Sequence, residues 1–243
     1  MNISGRTKSL SQTKIYFGHQ SVGFNIVDGL KDILQEDEKL SLNIRETSNP
    51  EDFSKPVFAH SRNGENRDWQ SKIDDFQDKM EGGLGNVADI AFFKFCYVDV
   101  TEKTDVAKLF ASYTQAMEKL EKKFPDTTFL YATVPLQTAN TSWKTWIKKI
   151  IGKNHIWEYA DNIRRNEFNS LIRQTYSDSG RLFDIARAES SFPDGNRELF
   201  KKDGNRYEAL VPAFTYDGGH LNEQGRKVVA AHLLSLLERI TQK

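Results

Sequence analysis

Short apolar runs alternate with segments of helical period along most of this 243-residue chain, and this alternation constrains the fold more than any other feature. It argues for βα units built around a parallel sheet. Lys14-Ile15-Tyr16-Phe17 reads as a first strand ending at Gly18, after which Val22, Ile26, Val27, Leu30, Ile33 and Leu34 recur at helical spacing. Leu40 to Ile44 alternates and reads as a second strand. The polar stretch 46–69, with Pro50, Pro56 and an Asn63-Gly64 step, reads as a long loop, and such loops tend to be functional or mobile. Asp89 to Val100 is the most apolar segment and is expected to be a central strand. A helix over 103–123, strands over 127–133 and 181–185, a helix over 161–176 and a last helix from Glu223 to Ile240 complete the expected order. With no internal repeat, low-complexity tract or linker in view, one domain over 1–243 is the economical expectation.

Charge and cysteine content narrow the function classes. Lysine plus arginine number 34 and aspartate plus glutamate 34, so the formal net charge is zero. Steering toward nucleic acid or an anionic membrane is therefore not expected. The single cysteine, Cys96, excludes an intrachain disulfide framework and a multi-cysteine zinc site. It stands in an apolar run, where a buried, inert thiol is the default. Five scattered histidines show no zinc-like spacing, so neither a metal nor another cofactor is expected. No apolar run is long enough to span a bilayer, which needs about 18 residues or more. The first twelve residues lack the apolar core of a secretory signal, so the chain as written is expected to be cytoplasmic, or secreted or periplasmic if its start is truncated.

Two sequence-distant blocks carry the chemistry. In Phe17-Gly18-His19-Gln20-Ser21-Val22-Gly23 an apolar strand runs into a serine and then an amphipathic helix. Ser21 then sits at the carboxyl end of a parallel strand, where open α/β sheets place ligands, and beside N–H groups that favour an oxyanion. Capping of the helix by Ser21 is an equally simple reading of that block alone. Near the other end stands Tyr216-Asp217-Gly218-Gly219-His220-Leu221-Asn222, directly before the last helix. Asp217 and His220, three apart, can point into one site from a single turn. A neutral histidine can take a proton from a serine hydroxyl while the aspartate fixes its tautomer. The bland alternative is a glycine turn in which both residues bond local backbone.

Together these blocks resemble the first and last sequence blocks of the SGNH/GDSL hydrolases, in a form closer to a subgroup that writes the first block His-x-Ser-x-Gly. The resemblance spans roughly Ile15 to Leu237 in block order. It implies a flavodoxin-like three-layer α/β/α sandwich with a mostly parallel five-stranded sheet. It also implies a serine ester hydrolase with Ser21 as nucleophile, His220 as base and Asp217 as its orienting partner. The substrate implied is a small-molecule or glycan acyl ester.

The middle blocks depart from the pattern. Gly64 is the best match for the glycine whose N–H helps bind the oxyanion. Where the resemblance calls for an oxyanion asparagine, this chain has Val98, within Cys96-Tyr97-Val98-Asp99. Losing one such donor typically costs about 10²–10³ in turnover. Asn66 is the first candidate to replace it, with Tyr97 and Lys94 behind. His19 is expected to position structure or substrate, His60 is a similar secondary candidate, and Asp99 is expected to be a turn residue. The segment 138–157, with Trp143, Trp146 and Trp157, reads as a lid-like insertion or an amphipathic helix packed on the domain. Two other functions stay open: O-acyl transfer to a glycan hydroxyl, and a ligand-binding module that has lost efficient chemistry, which Val98 favours.

Overall fold

A computed structural model describes residues 9–37, 40–139 and 157–242. The first apolar run forms strand β1, Lys14–His19, and the helical-period segment after it forms α1, Val22–Glu36. There follow β2 (Ile44–Glu46), β3 (Val57–Arg62), α2 (Trp69–Glu81), β4 (Ile90–Phe93) and α3 (Val106–Lys123). The second half contributes β5 (Thr128–Phe129), β6 (Tyr131–Ala132), α4 (Trp157–Tyr176), β7 (Leu182–Phe183) and the short α5 (Ile185–Glu189). A hairpin, β8 (Leu199–Lys202) with β9 (Asn205–Glu208), precedes the last helix, α6 (Glu223–Thr241).

The main sheet has five parallel strands in the order β2-β3-β1-β4-β5. At its far edge the chain changes partners. Leu130 still donates its N–H to the Ala91 carbonyl at 3.1 Å, but Tyr131 donates to Arg181 at 3.1 Å, and β6 pairs with β7 in parallel. Counting β5 and β6 as one run, the strands from β3 outward follow the flavodoxin-like order 2-1-3-4-5, with β2 added outside.

The three layers follow from residue alternation. Ile15, Phe17, Phe58, Ile90 and Phe92 face one side and pack with Val22, Ile26 and Leu30 of α1 and Val229, Leu233 and Leu237 of α6. Tyr16, Val57, Ala59, Ala91 and Phe93 face the other, against Ile73 and Phe76 of α2, Leu109 and Leu120 of α3 and Phe168 of α4. Successive strand residues point to opposite faces, so a strand buried on both needs an unbroken apolar run. β4, with four buried residues in a row, is such a strand.

Several expected boundaries shift. The stretch expected to be a loop over 46–69 contains β3, which lies between β2 and β1 inside the sheet. The run expected as a strand from Leu40 pairs only from Ile44 onward. The central strand ends at Phe93, and the chain then turns through a 3-10 helix at Tyr97–Asp99. Of the lid expected over 138–157, residues 140–156 lie outside the described ones. No described helix is long and apolar enough to cross a membrane.

Candidate active site

The switch point of the sheet lies between β1 and β4, where the chain leaves adjacent strands toward opposite faces. Open α/β sheets bind ligands at that crevice. Ser21 follows β1 there, Tyr97 follows β4, and the loop before α6 closes the third side.

Ser21 occupies the N-cap position of α1 but makes no capping bond. Its backbone is held at φ 53°, ψ −116°, a region that L residues rarely adopt. Such conformations cost on the order of 1–3 kcal/mol and persist where the surrounding structure imposes them. The hydroxyl is turned away from the helix instead, with Ser21 Oγ 2.8 Å from His220 Nε2. His220 Nδ1 lies in turn 2.7 Å from Asp217 Oδ2. The carboxylate accepts from Nδ1–H, which leaves Nε2 unprotonated and able to accept the serine proton.

The turn that carries this pair is tied down locally. Asp217 Oδ1 accepts from the N–H groups of Gly219 at 2.9 Å and His220 at 2.8 Å. Partial desolvation opposes the charge on Asp217, but the bonds from the His220 ring and these two N–H groups outweigh it. They hold the carboxyl well below the usual carboxylate range. Leu221 donates its N–H to Asn25 Oδ1 of α1 at 3.1 Å, which sets the distance between the histidine turn and the serine helix. Asn222 caps α6 through Gly225 N–H at 3.0 Å, as the sequence leads one to expect.

The side facing Ser21 from β4 is filled by Tyr97. Its ring meets the His220 ring edge to face, with centroids 5.7 Å apart. A Cβ at position 219 would lie 2.9 Å from Tyr97 Oη, so a side chain there would push the phenol out of this position and Gly219 allows the close approach. Burial and the negative charge of Asp217 push the Tyr97 phenol up, and its interaction with the Ser21 side chain only partly offsets them. The phenol therefore stays protonated at neutral pH and available as a donor. Arg165, fully buried in α4, donates from Nε to the Tyr97 carbonyl at 2.9 Å and lies over the Tyr97 ring at 5.6 Å. Sequence reasoning did not single out Arg165. An arginine inside an otherwise amphipathic helix reads as an exposed charge unless its acceptors are known.

Other candidates stand elsewhere. The Gly64 N–H donates to Asp75 Oδ2 at 2.7 Å and its carbonyl accepts from the Gln20 amide, so both polar groups of Gly64 are engaged in the scaffold. That corrects the expectation of Gly64 as an oxyanion donor. Asn66 presents its Oδ1 to Lys72 Nζ at 3.2 Å and makes no hydrogen bond to Ser21. Lys94 does not snorkel outward. It is buried with its ammonium 3.5 Å from Cys96 Sγ and 3.3 Å from the Phe95 carbonyl, and desolvation lowers its pKa. Asp99 accepts from Cys96 N–H at 2.6 Å and Arg67 N–H at 2.7 Å, which is the work of a turn residue.

His19 is fully buried behind the nucleophile, with Nε2 3.1 Å from His60 Nδ1. Desolvation, reinforced by Lys94 and other nearby cations, lowers its pKa to about 2, so it is neutral. The pattern His19-x-Ser21-x-Gly23 thereby acquires a steric meaning. A Cβ on residue 23 would lie 2.4 Å from the His19 side chain, so only glycine leaves room for the imidazole beneath the helix. Among the described residues no group of three or more His, Cys, Asp or Glu side chains could hold a metal ion.

This arrangement of strands and turns recurs in solved structures. A GDSL-like lipase from Bacteroides thetaiotaomicron superposes with a TM-score of 0.57 over 93% of this chain and 87% of its own, at 12% identity. The fold is that of the SGNH/GDSL hydrolases. A carbohydrate esterase family 3 protein from Talaromyces cellulolyticus matches with a TM-score of 0.51 at 14% identity, over 94% of this chain and 96% of its own. The periplasmic domain of a Salmonella Paratyphi A lipopolysaccharide acetyltransferase matches with a TM-score of 0.51 at 11% identity, over 93% and 84%. No family model matches the sequence, and no curated protein matches it significantly. Within the SGNH/GDSL fold, Ser21 and the Asp217–His220 turn occupy the ends of the first strand and the start of the last helix.

Proposed function

We propose that this chain is a serine ester hydrolase. The continuous hydrogen-bond chain from Ser21 through His220 to Asp217 carries the reading. Ser21 Oγ attacks the acyl carbonyl while His220 Nε2 takes its proton, and Asp217 stabilises the imidazolium that forms. The tetrahedral oxyanion is held by the Ser21 N–H, for which no carbonyl partner is found among the described residues, and by the Tyr97 hydroxyl. His220 then returns the proton to the leaving alcohol, and water, activated by the same histidine, releases the acid. Tyr97 fills the role for which Val98 has no polar group, and so weakens the case for a binding module without chemistry.

The test is labelling by a fluorophosphonate together with a panel of acyl esters from acetyl to long chain. Wild type is expected to label and to turn over at least one ester, and Ser21→Ala to do neither. A folded wild-type protein that resists the probe and the whole panel sinks the proposal. Acyl transfer to a sugar hydroxyl would use the same acyl-enzyme, and a rise in acylated oligosaccharide at the expense of free acid would reveal it.

A further inference from the structure

Beside Tyr97, which it shares with the triad, lies a cavity of about 630 Å³ between the turn after β4, the start of α3 and α4. Its charges are unevenly committed. Asp99 is engaged by two N–H groups and by Lys72 at 3.6 Å, and Asp161 by Arg165 and the Glu102 N–H. Asp105 caps α3 through the Lys108 N–H at 3.0 Å. The side chains of Arg67, Lys103 and Lys108 line the same cavity, are exposed, and carry no ion pair among the described residues. Three exposed cations left without an ion pair around a concave site, while two of its three acids are paired with buried cations, favour an anionic occupant.

Arg67 is placed there at a conformational cost. It is one of three non-glycine residues with positive φ among the described ones, at 71°, and its N–H is held by the buried carboxylate of Asp99. A strained residue fixed by a buried group, with a side chain that makes no hydrogen bond or ion pair among the described residues, points to function. Half-buried Trp69, in the same wall, adds a flat apolar face of the kind a sugar ring covers.

We infer that this cavity binds the alcohol portion of the ester as an acidic sugar, its carboxylate or phosphate held by Arg67, Lys103 and Lys108. The inference rests on the hydrolase reading of the adjoining triad. It goes further by naming the charge of the substrate.

The experiment compares kcat/KM for three acetylated sugars: a uronic acid, the methyl ester of that same uronic acid, and a sugar phosphate. The acid is expected to exceed its methyl ester by about tenfold, the size of one charge-assisted hydrogen bond, with the advantage shrinking as salt rises. The phosphate arm tells which anion is preferred. In Arg67→Asn, a residue that tolerates left-handed backbone, and separately in Lys108→Gln, the acid-to-ester ratio should fall toward one. Equal rates on acid and methyl ester overturn the inference while leaving the hydrolase intact. If no ester at all is turned over, the hydrolase reading fails, and titration of Ser21→Ala with the free uronic acid and its methyl ester still decides the point. Equal or absent binding of the two counts against the cationic site.

Discussion

At the scale of single residues, Ser21 and Tyr97 divide the proposed chemistry between them. Ser21 is strained, half-exposed and turned onto His220, while Tyr97 is buried, kept protonated and turned toward Ser21. If Tyr97 donates to the oxyanion, Tyr97→Phe should lower kcat by about 10²–10³ with little change in KM, because the bond forms fully only in the transition state. The measurement is steady-state kinetics on the best ester of the panel, and an unchanged kcat would remove Tyr97 from the role. Asp217→Asn acts differently. It leaves the turn in place but allows the wrong imidazole tautomer, so kcat should fall by about 10⁴, the loss seen when such an aspartate is neutralised in serine proteases. A folded Asp217→Asn variant with near wild-type kcat would show that His220 is oriented by something else.

At the scale of elements, what was legible in the sequence and what was not separates along a physical line. β1 and β4 were readable because their residues face a uniform apolar environment, and α1 and α6 because one face of each does. β3 was not. Its first half, Val57-Phe58-Ala59, is apolar, but His60, Ser61 and Arg62 follow, and the pattern dissolves where the strand reaches the site. His60 is buried all the same, because His19 supplies a ring partner at 3.1 Å and the Tyr16 hydroxyl meets Ser61 at 2.8 Å. Pairwise polar satisfaction across strands cannot be seen along one strand. The same limit hid Arg165 and made Gly64 and Asn66 plausible oxyanion donors, since their partners come from α2 and from Gln20. Gly23 is the joint at which this cross-strand pair meets α1. Gly23→Ala should therefore destabilise by about 1–3 kcal/mol through overpacking against His19. Denaturant unfolding checks it, and combining Gly23→Ala with His19→Ala should cost less than the sum of the two. Strict additivity would mean that the two side chains do not compete for the same space.

At the scale of the whole molecule, two buried groups with opposite titration behaviour shape stability against pH. His19 stays neutral in the fold down to about pH 2, whereas in the unfolded chain it gains a proton near 6.5. The unfolded state then binds more protons below 6.5, so stability falls as pH drops through that value. Glu189, wholly buried at the end of α5, accepts from the Leu136 N–H with one oxygen and leaves the other unpartnered among the described residues. Burial pushes its carboxyl up to about 8, from an ordinary 4.5. Between those values the folded state keeps a proton that the unfolded state has lost, so this group destabilises progressively as pH rises from 4.5 to 8. Below 6.5 the two slopes oppose each other, whereas above 6.5 the His19 contribution has saturated and the Glu189 slope remains. Wild type should therefore lose several degrees of Tm between pH 6.5 and 8, and Glu189→Gln, which is neutral throughout and keeps the acceptor for Leu136, should show a flat profile there. Calorimetric Tm values across that window decide the matter: a slope shared by both proteins would assign the loss to another group, and a flat wild type would mean that Glu189 is ionised in the fold with a counter-charge supplied from nearby, for which Lys94 and Arg165 are the cations that bear on it.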